Sequence, residues 1–251
     1  MKSIPIDPSN LNMLRFYLEL DRNLPTPFED AIFVCYQFKN NQSGCNDADR
    51  LEEISIATMD SRDLDPASVF DPRYVIQTRQ AVFGAHRKRK RRQARNIFGA
   101  FEEFPNDSSA NVLDFLSQTL RFPDPTTSRR LRNIVLVSSG LERSSDALMR
   151  RLGVNWHYFA PIVGYLDPHL LARKTLTRKD VGPAFATFNL VHYFEIPTTR
   201  DGHHNKDPIA VATHANCVLR LLLMLGLMNA RGEDLEPRIA RLEALAKAQL
   251  V

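Results

Sequence analysis

The chain has 251 residues, of which 33 are Lys or Arg, 29 are Asp or Glu and 43% are hydrophobic. These proportions are typical of one large globular domain and exclude a wholly disordered chain. The longest apolar segment, residues 218–228, falls short of the roughly 18 residues of a membrane helix and contains Arg220. The first residues lack an apolar secretory core, and the three cysteines lack metal-type spacing. We therefore expect a nuclear or cytoplasmic protein that is not secreted and has no membrane partner.

The N-terminal part of the chain predicts one helix and three strands. Apolar residues recur at helical spacing over residues 10–21, which predicts a helix that docks through its apolar face. A continuous apolar run over 31–38 and two alternating segments over 53–60 and 74–78 predict an antiparallel meander. Residues 84–109 break this pattern with a cationic run and three phenylalanines, which predicts an inserted surface loop.

The rest of the chain alternates helices and strands. The predicted elements are helices over 111–122, 144–153 and 180–192, strands over 133–140 and 159–165, a long apolar helix over 209–228 and an amphipathic helix over 232–250. This order predicts an α/β fold in which helices flank a mixed, five-stranded central sheet. We divide the chain into an N-terminal docking helix and linker (1–30), an α/β domain (31–230) and a C-terminal amphipathic helix (231–251).

Several phrases of the sequence are more specific than this pattern. Residues 33–39 are Phe-Val-Cys-Tyr-Gln-Phe-Lys, and residues 134–140 are Ile-Val-Leu-Val-Ser-Ser-Gly. Residues 161–167 are Pro-Ile-Val-Gly-Tyr-Leu-Asp, and residues 213–217 are Thr-His-Ala-Asn-Cys. In these phrases and their order the chain resembles the fungal RNase H-like, DEDD-type exonuclease domains of the branch associated with messenger-RNA export. The resemblance implies a three-layer RNase H-like fold and four acids that hold two Mg²⁺ ions about 4 Å apart.

The chain departs from the family at the positions of these acids. The first strand ends in Gln37 and Lys39, where the resemblance implies two carboxylates on one face of the strand. Asp146 matches the third acid, and His214 stands in place of the fourth. One carboxylate near Lys39 cannot offset two Mg²⁺ ions, because each uncompensated charge costs several kcal/mol even at an effective dielectric constant of about 20. We therefore expect a degenerate catalytic site without a metal cofactor, in which Lys39 pairs with Asp146.

The positive charge of the chain is concentrated in the predicted loop. A net charge of +4 is more than accounted for by one run of cations. They are Arg87, Lys88, Arg89, Lys90, Arg91, Arg92 and Arg95. This basic run suits a nuclear localisation signal, a phosphate-binding arm or a solvated loop, and the sequence leaves the three open. As a nucleic-acid arm, it predicts a slope of about −5 to −6 in a log–log salt titration.

The expected function is RNA binding or scaffolding by an exonuclease-like domain that has lost its metal chemistry. The resemblance implies single-stranded RNA or an RNA-processing protein as partner, and the terminal helices suggest a homo-oligomer. One alternative is an active, Mg²⁺-dependent 3′–5′ exonuclease that uses other acids, such as Glu52, Asp60 or Asp167. The other is a protein-interaction module that docks through a terminal helix and uses the basic run for import.

Overall fold

A mixed sheet of six strands forms the centre of the fold. The computed structural model describes residues 10–20, 31–40, 51–84, 100–125, 127–137, 148–182, 185–198 and 211–249. The strands are β1 (Ala31–Asn40), β2 (Leu51–Asp60), β3 (Ile76–Phe83), β4 (Ala100–Phe104), β5 (Pro123–Asp124), β6 (Thr127–Leu131), β7 (Asn133–Val137) and β8 (Ile162–Leu166). The helices are α1 (Leu11–Tyr17), α2 (Pro72–Val75), α3 (Ser109–Leu120), α4 (described over 148–152), α5 (Pro168–Thr175), α6 (Arg178–Val181), α7 (Thr187–Tyr193), α8 (Val211–Leu227) and α9 (Glu236–Lys247).

The strand order places the ends of three strands together. The sheet has the order β4-β3-β2-β1-β7-β8, and β5 and β6 form a separate hairpin. β1, β2 and β3 form the predicted antiparallel meander, and β7 and β8 run parallel to β1. Cys35 is level with Val137, which is level with Leu166. Gln37 and Asp167 therefore follow at one common edge, which we call the C-terminal edge.

Helices cover both faces of the sheet, because successive side chains of β1 point to opposite sides. The odd-numbered residues from Ala31 to Cys35 pack with α8, together with α1, α5, α7 and α9. The even-numbered residues from Ile32 to Tyr36 pack with α3 and α4 on the other face. The predicted α/β class, with a mixed sheet between helices, is confirmed.

The prediction of five strands is wrong, because β4 adds a sixth. Residues 84–109 were predicted as a loop throughout, but Ala100–Phe104 pairs parallel to β3 at the edge of the sheet. Phe104 stacks on Phe83 with ring centroids 5.3 Å apart and meets Phe115 edge-on at 6.3 Å. A strand of five residues that contains two glutamates carries a weak sequence signal, and its aromatic packing fixes it.

Some element bounds also differ from the predictions. The third strand begins at Ile76 rather than residue 74, because Asp71 caps a helical turn that opens at Pro72. It also continues to Phe83. The first helix ends at Tyr17 rather than residue 21, because Glu19 takes a left-handed conformation with φ 54°. The segment predicted as one helix over 180–192 is divided between α6 and α7.

The terminal helices pack against α8 within the chain. Leu14 of α1 and Leu18, the residue that follows α1, are fully buried, and Leu242 and Leu245 of α9 belong to the same apolar cluster. α1 approaches α8 at Gly226, where an added Cβ would lie 2.3 Å from Leu18 Cδ1. These contacts use the apolar faces that the sequence offers for docking. Among the described helices, none has the length and apolar character to cross a bilayer.

Candidate functional site

The end of β1 carries the first two predicted site residues. Gln37 and Lys39 lie on the face of the sheet that α8 covers, in line with Phe33 and Cys35. Gln37 Nε2 is buried beside the Cys35 thiol, and no oxygen or nitrogen of the described residues accepts from it. Lys39 Nζ lies 3.9 Å from Glu52 Oε2, and the Lys39 side chain is half exposed. The expected pairing with Asp146 concerns a residue outside the described part of the chain.

Gln37 belongs to a row of neutral polar side chains that crosses three strands. In the strand register Gln37 faces Ser55, and Ser55 faces Gln80. Ser55 and Gln80 are buried, and neither Ser55 Oγ nor Gln80 Oε1 has a hydrogen-bond partner within the described residues. We call these three residues the polar row. Gln80 Nε2 donates to the buried carboxylate of Glu53, so one acid borders the row on the face where the resemblance implies a charged metal site.

A second buried network fixes α8 on the sheet next to the polar row. Asn216 Nδ2 donates to Thr78 Oγ1 of β3 at 3.2 Å. Arg220 Nε donates to Asn216 Oδ1 at 2.7 Å, and Arg220 Nη1 donates to the Ala246 carbonyl at 3.1 Å. Burial lowers the pKa of Arg220 to about 10, so the guanidinium stays charged at neutral pH. The network sets the position of the first turn of α8 and hence of His214.

His214 forms a cluster with a threonine and a second histidine. Thr187 Oγ1 lies 2.8 Å from His214 Nε2 and 3.0 Å from His169 Nε2. A hydroxyl has one proton, so with both rings neutral it donates to one imidazole and accepts from the other. Asp167, the residue after β8, caps α5 by accepting from the His169 backbone N–H at 2.8 Å. The first turns of α5, α7 and α8 therefore meet in what we call the His–Thr–His cluster.

Both imidazoles of the cluster are held in the neutral form. Burial, with a smaller contribution from the neighbouring His169, lowers the pKa of His214 to about 4. Burial is also the main cause that lowers the pKa of His169; Arg173 adds to this effect, whereas Asp167 opposes it. At neutral pH His214 is thus an uncharged hydrogen-bonding group in the position where the resemblance implies a carboxylate.

The polar row and the cluster approach the same edge from the sheet and from the helices. Cys217, one turn after His214, interacts with Cys35, which lies two residues before Gln37. Both thiols are buried, and burial raises the pKa of each. His214 contacts Thr187, which contacts His169 just after β8. His214 and Gln37 therefore both lie near the C-terminal edge, on the face covered by α8. Lys39 lies one step further out, where it reaches solvent.

Of the acids considered for an active alternative, Glu52 and Asp167 lie at this edge but hold other groups, and Asp60 lies far from it. Glu52 pairs with Lys39, and Asp167 caps α5. Asp60 is level with Ile32 and pairs with Arg132, so it lies five residues, or about 17 Å, from the level of Gln37. Within the described ranges, no three His, Cys, Asp or Glu side chains form a group that could hold a metal ion.

The described donor set does not fit a pair of Mg²⁺ ions. Mg²⁺ prefers oxygen ligands in octahedral geometry, with carboxylates to balance its charge. The edge presents the amide of Gln37, the ammonium of Lys39 and the neutral imidazole of His214. Its carboxylates already hold other groups, since Glu52 pairs with Lys39, Glu53 accepts from Gln80 and Asp167 caps α5. We derive no catalytic step through a metal from these residues.

Two further predicted features lie outside the described residues, namely Asp146 and the basic run of residues 87–95. Sequence reasoning found Gln37, Lys39 and His214 through the resemblance but missed His169 and Thr187. One signal for His169 was present, because Asp167 and Pro168 form a favourable helix start directly after a strand. Thr187 had no comparable signal.

The chain matches no protein-family model and no curated protein sequence.

Proposed function

We propose that the chain is an exonuclease-like domain that binds single-stranded RNA without hydrolysing it. The observation that carries this proposal is the composition of the C-terminal edge. There Gln37, Lys39 and His214 provide an amide, a cation and a neutral ring at the positions where the resemblance implies acids. The nearby carboxylates of Glu52, Glu53 and Asp167 hold other groups. The half-exposed Lys39 can bind an anionic ligand, whereas the set as a whole lacks the free carboxylates that would neutralise a pair of catalytic metal ions.

The architecture supports the RNase H-like part of the proposal. Five of the six strands, β1, β2, β3, β7 and β8, match in number the sheet that the resemblance implies. They comprise an antiparallel meander followed by two strands parallel to β1, in the order expected from the sequence. β4 is an addition at the free edge of β3.

The charge of the chain supports a nucleic acid as ligand. The basic run of residues 87–95 contains seven cations, a density that suits a polyanion. Lys39 adds a partly exposed cation at the C-terminal edge. RNA-processing proteins as additional partners follow from the family resemblance alone.

The test is electrophoretic retardation of a labelled single-stranded RNA by the full chain across a salt series. For the wild type we expect retardation with a log–log salt slope of about −5 to −6. When residues 87 to 92 are all changed to Gln, we expect a slope of smaller magnitude. Absence of retardation at low salt contradicts the proposal and favours the protein-interaction alternative. Retardation that is unchanged after neutralisation contradicts the role of the basic run.

A further inference from the structure

Helices α5 and α6 present a cluster of cations to solvent. Its members are Arg173, Lys174, Arg178 and Lys179, and all four are exposed. We call them the α5–α6 cationic surface. Residues 168–182 contain one acid, Asp180, whose carboxylate accepts from the backbone N–H and the hydroxyl of Thr177 at 2.7 Å each. The Asp180 carboxylate therefore makes its hydrogen bonds to Thr177 at the start of α6.

Three of these cations have no acidic partner among the residues that the structure describes. Arg173, Arg178 and Lys179 form no ion pair within the described part of the chain. The cations of α9 differ, since Arg238 donates to Glu19 and Lys247 donates to Glu243 at 2.9 Å. Neighbouring like charges repel one another, and a bound polyanion removes this repulsion.

An exposed aromatic ring lies on α7, the helix that contacts both α5 and α6. Phe188 of α7 is 42% exposed, although large apolar side chains are normally buried. The preceding residue, Thr187, contacts His169, and Arg173 follows His169 by one turn of α5. α6 packs against α7 as well. The helix that carries Phe188 therefore contacts both helices that carry the cations, next to the His–Thr–His cluster.

We propose that this surface binds single-stranded RNA, with Arg173, Arg178 and Lys179 on phosphates and Phe188 stacked on a base. The inference rests on the proposed function and gives it a location in the fold. A single strand is favoured because its bases are free to stack on a side chain, whereas those of a duplex are stacked on one another. An acidic peptide would satisfy the cations but has no base for Phe188.

The test measures fluorescence anisotropy of a labelled oligouridylate on the full chain across a salt series. One variant carries Arg173→Gln, Arg178→Gln and Lys179→Gln. We expect its salt slope to fall in magnitude by about 2, since each lost phosphate contact on a single strand removes about 0.7. A second variant, Phe188→Leu, keeps an apolar side chain but removes the ring. We expect about ten-fold weaker binding with an unchanged salt slope.

The control removes the same charge elsewhere, through Arg73→Gln, Arg121→Gln and Arg231→Gln. We expect the salt slope to change less in the control than in the α5–α6 variant. Equal changes would overturn the inference, because they would reflect net charge alone. If the wild type binds RNA and neither the α5–α6 variant nor Phe188→Leu weakens the binding, the proposed location is wrong, but the proposed function stands. If the wild type does not bind RNA but binds polyglutamate in a salt-dependent way, both the location and the proposed function are wrong.

Discussion

At the scale of single residues, the histidine pair makes the stability of the fold depend on pH. The pKa of His214 is about 4 in the folded chain and 6.5 when exposed, so the unfolded state binds more protons between these values. The contribution of the neutral, buried His214 to the free energy of unfolding is complete above about pH 6.5 and is lost as the pH falls toward about 4. The lowered pKa of His169 acts in the same direction.

We expect acidification from about pH 7 to about pH 5 to lower the free energy of unfolding by about 2 kcal/mol through His214. Urea unfolding at both pH values measures this difference. Glutamine is an uncharged side chain of similar reach. In the variant His214→Gln we therefore expect the difference in the free energy of unfolding between the two pH values to be smaller by about 2 kcal/mol. An unchanged pH dependence in the variant would contradict the burial of a neutral imidazole.

The hydroxyls of Ser55 and Thr78 give a matched pair of tests for the polar row. Ser55 Oγ is buried without a partner among the described residues, whereas Thr78 Oγ1 accepts from Asn216. We expect Ser55→Ala to leave the free energy of unfolding unchanged or slightly higher, and Thr78→Val to lower it by about 1 to 2 kcal/mol. Equal losses in urea unfolding would show that Ser55 has a hydrogen-bond partner.

At the scale of elements, Gly226 sets how closely α1 approaches α8. Alanine normally stabilises a helix interior by about 1 kcal/mol over glycine, but here its Cβ would lie 2.3 Å from Leu18 Cδ1. We expect Gly226→Ala to lower the free energy of unfolding by about 1 kcal/mol or more. In a Leu18→Ala background the clash disappears, so the same change becomes stabilising.

A double-mutant cycle with thermal or urea unfolding measures this coupling. Additive effects of Gly226→Ala and Leu18→Ala would mean that the two residues do not touch. The coupling also tests whether α1 is part of the same folding unit as α8, since an undocked helix would show none.

Elements with a strong periodic pattern were predictable, and elements fixed by tertiary contacts were not. The apolar run that begins at Ala31 and the long helix that contains His214 have unambiguous patterns. β4 is short and rich in glutamate, and it is stabilised by Phe104 stacking on Phe83 from a distant part of the sequence. Such a contact leaves no local periodicity.

At the scale of the whole molecule, the candidate site combines residues that are far apart in the chain. The resemblance supplied Gln37 and His214, but their surroundings depend on strand register and helix docking. The register sets Gln37 beside Ser55, and the docking of α7 sets Thr187 between two histidines. These juxtapositions arise only after folding, so they could not be predicted from spacing.

The two regions proposed to contact RNA, the α5–α6 cationic surface and the C-terminal edge, are close to each other in the fold. The α5–α6 cationic surface lies beside the His–Thr–His cluster, so a strand bound there would pass close to the C-terminal edge. At that edge it would meet Lys39 and acids that already hold other groups, and the described residues there form no metal-binding cluster. The account therefore predicts binding without cleavage.

The most direct measurement is the length of a 5′-labelled single-stranded RNA that is bound by the full chain in the presence of Mg²⁺ or Mn²⁺. We predict that the RNA is retained by the protein and remains intact over hours, with the same pattern in EDTA. Metal-dependent shortening from the 3′ end that is lost in Asp146→Ala would contradict the account.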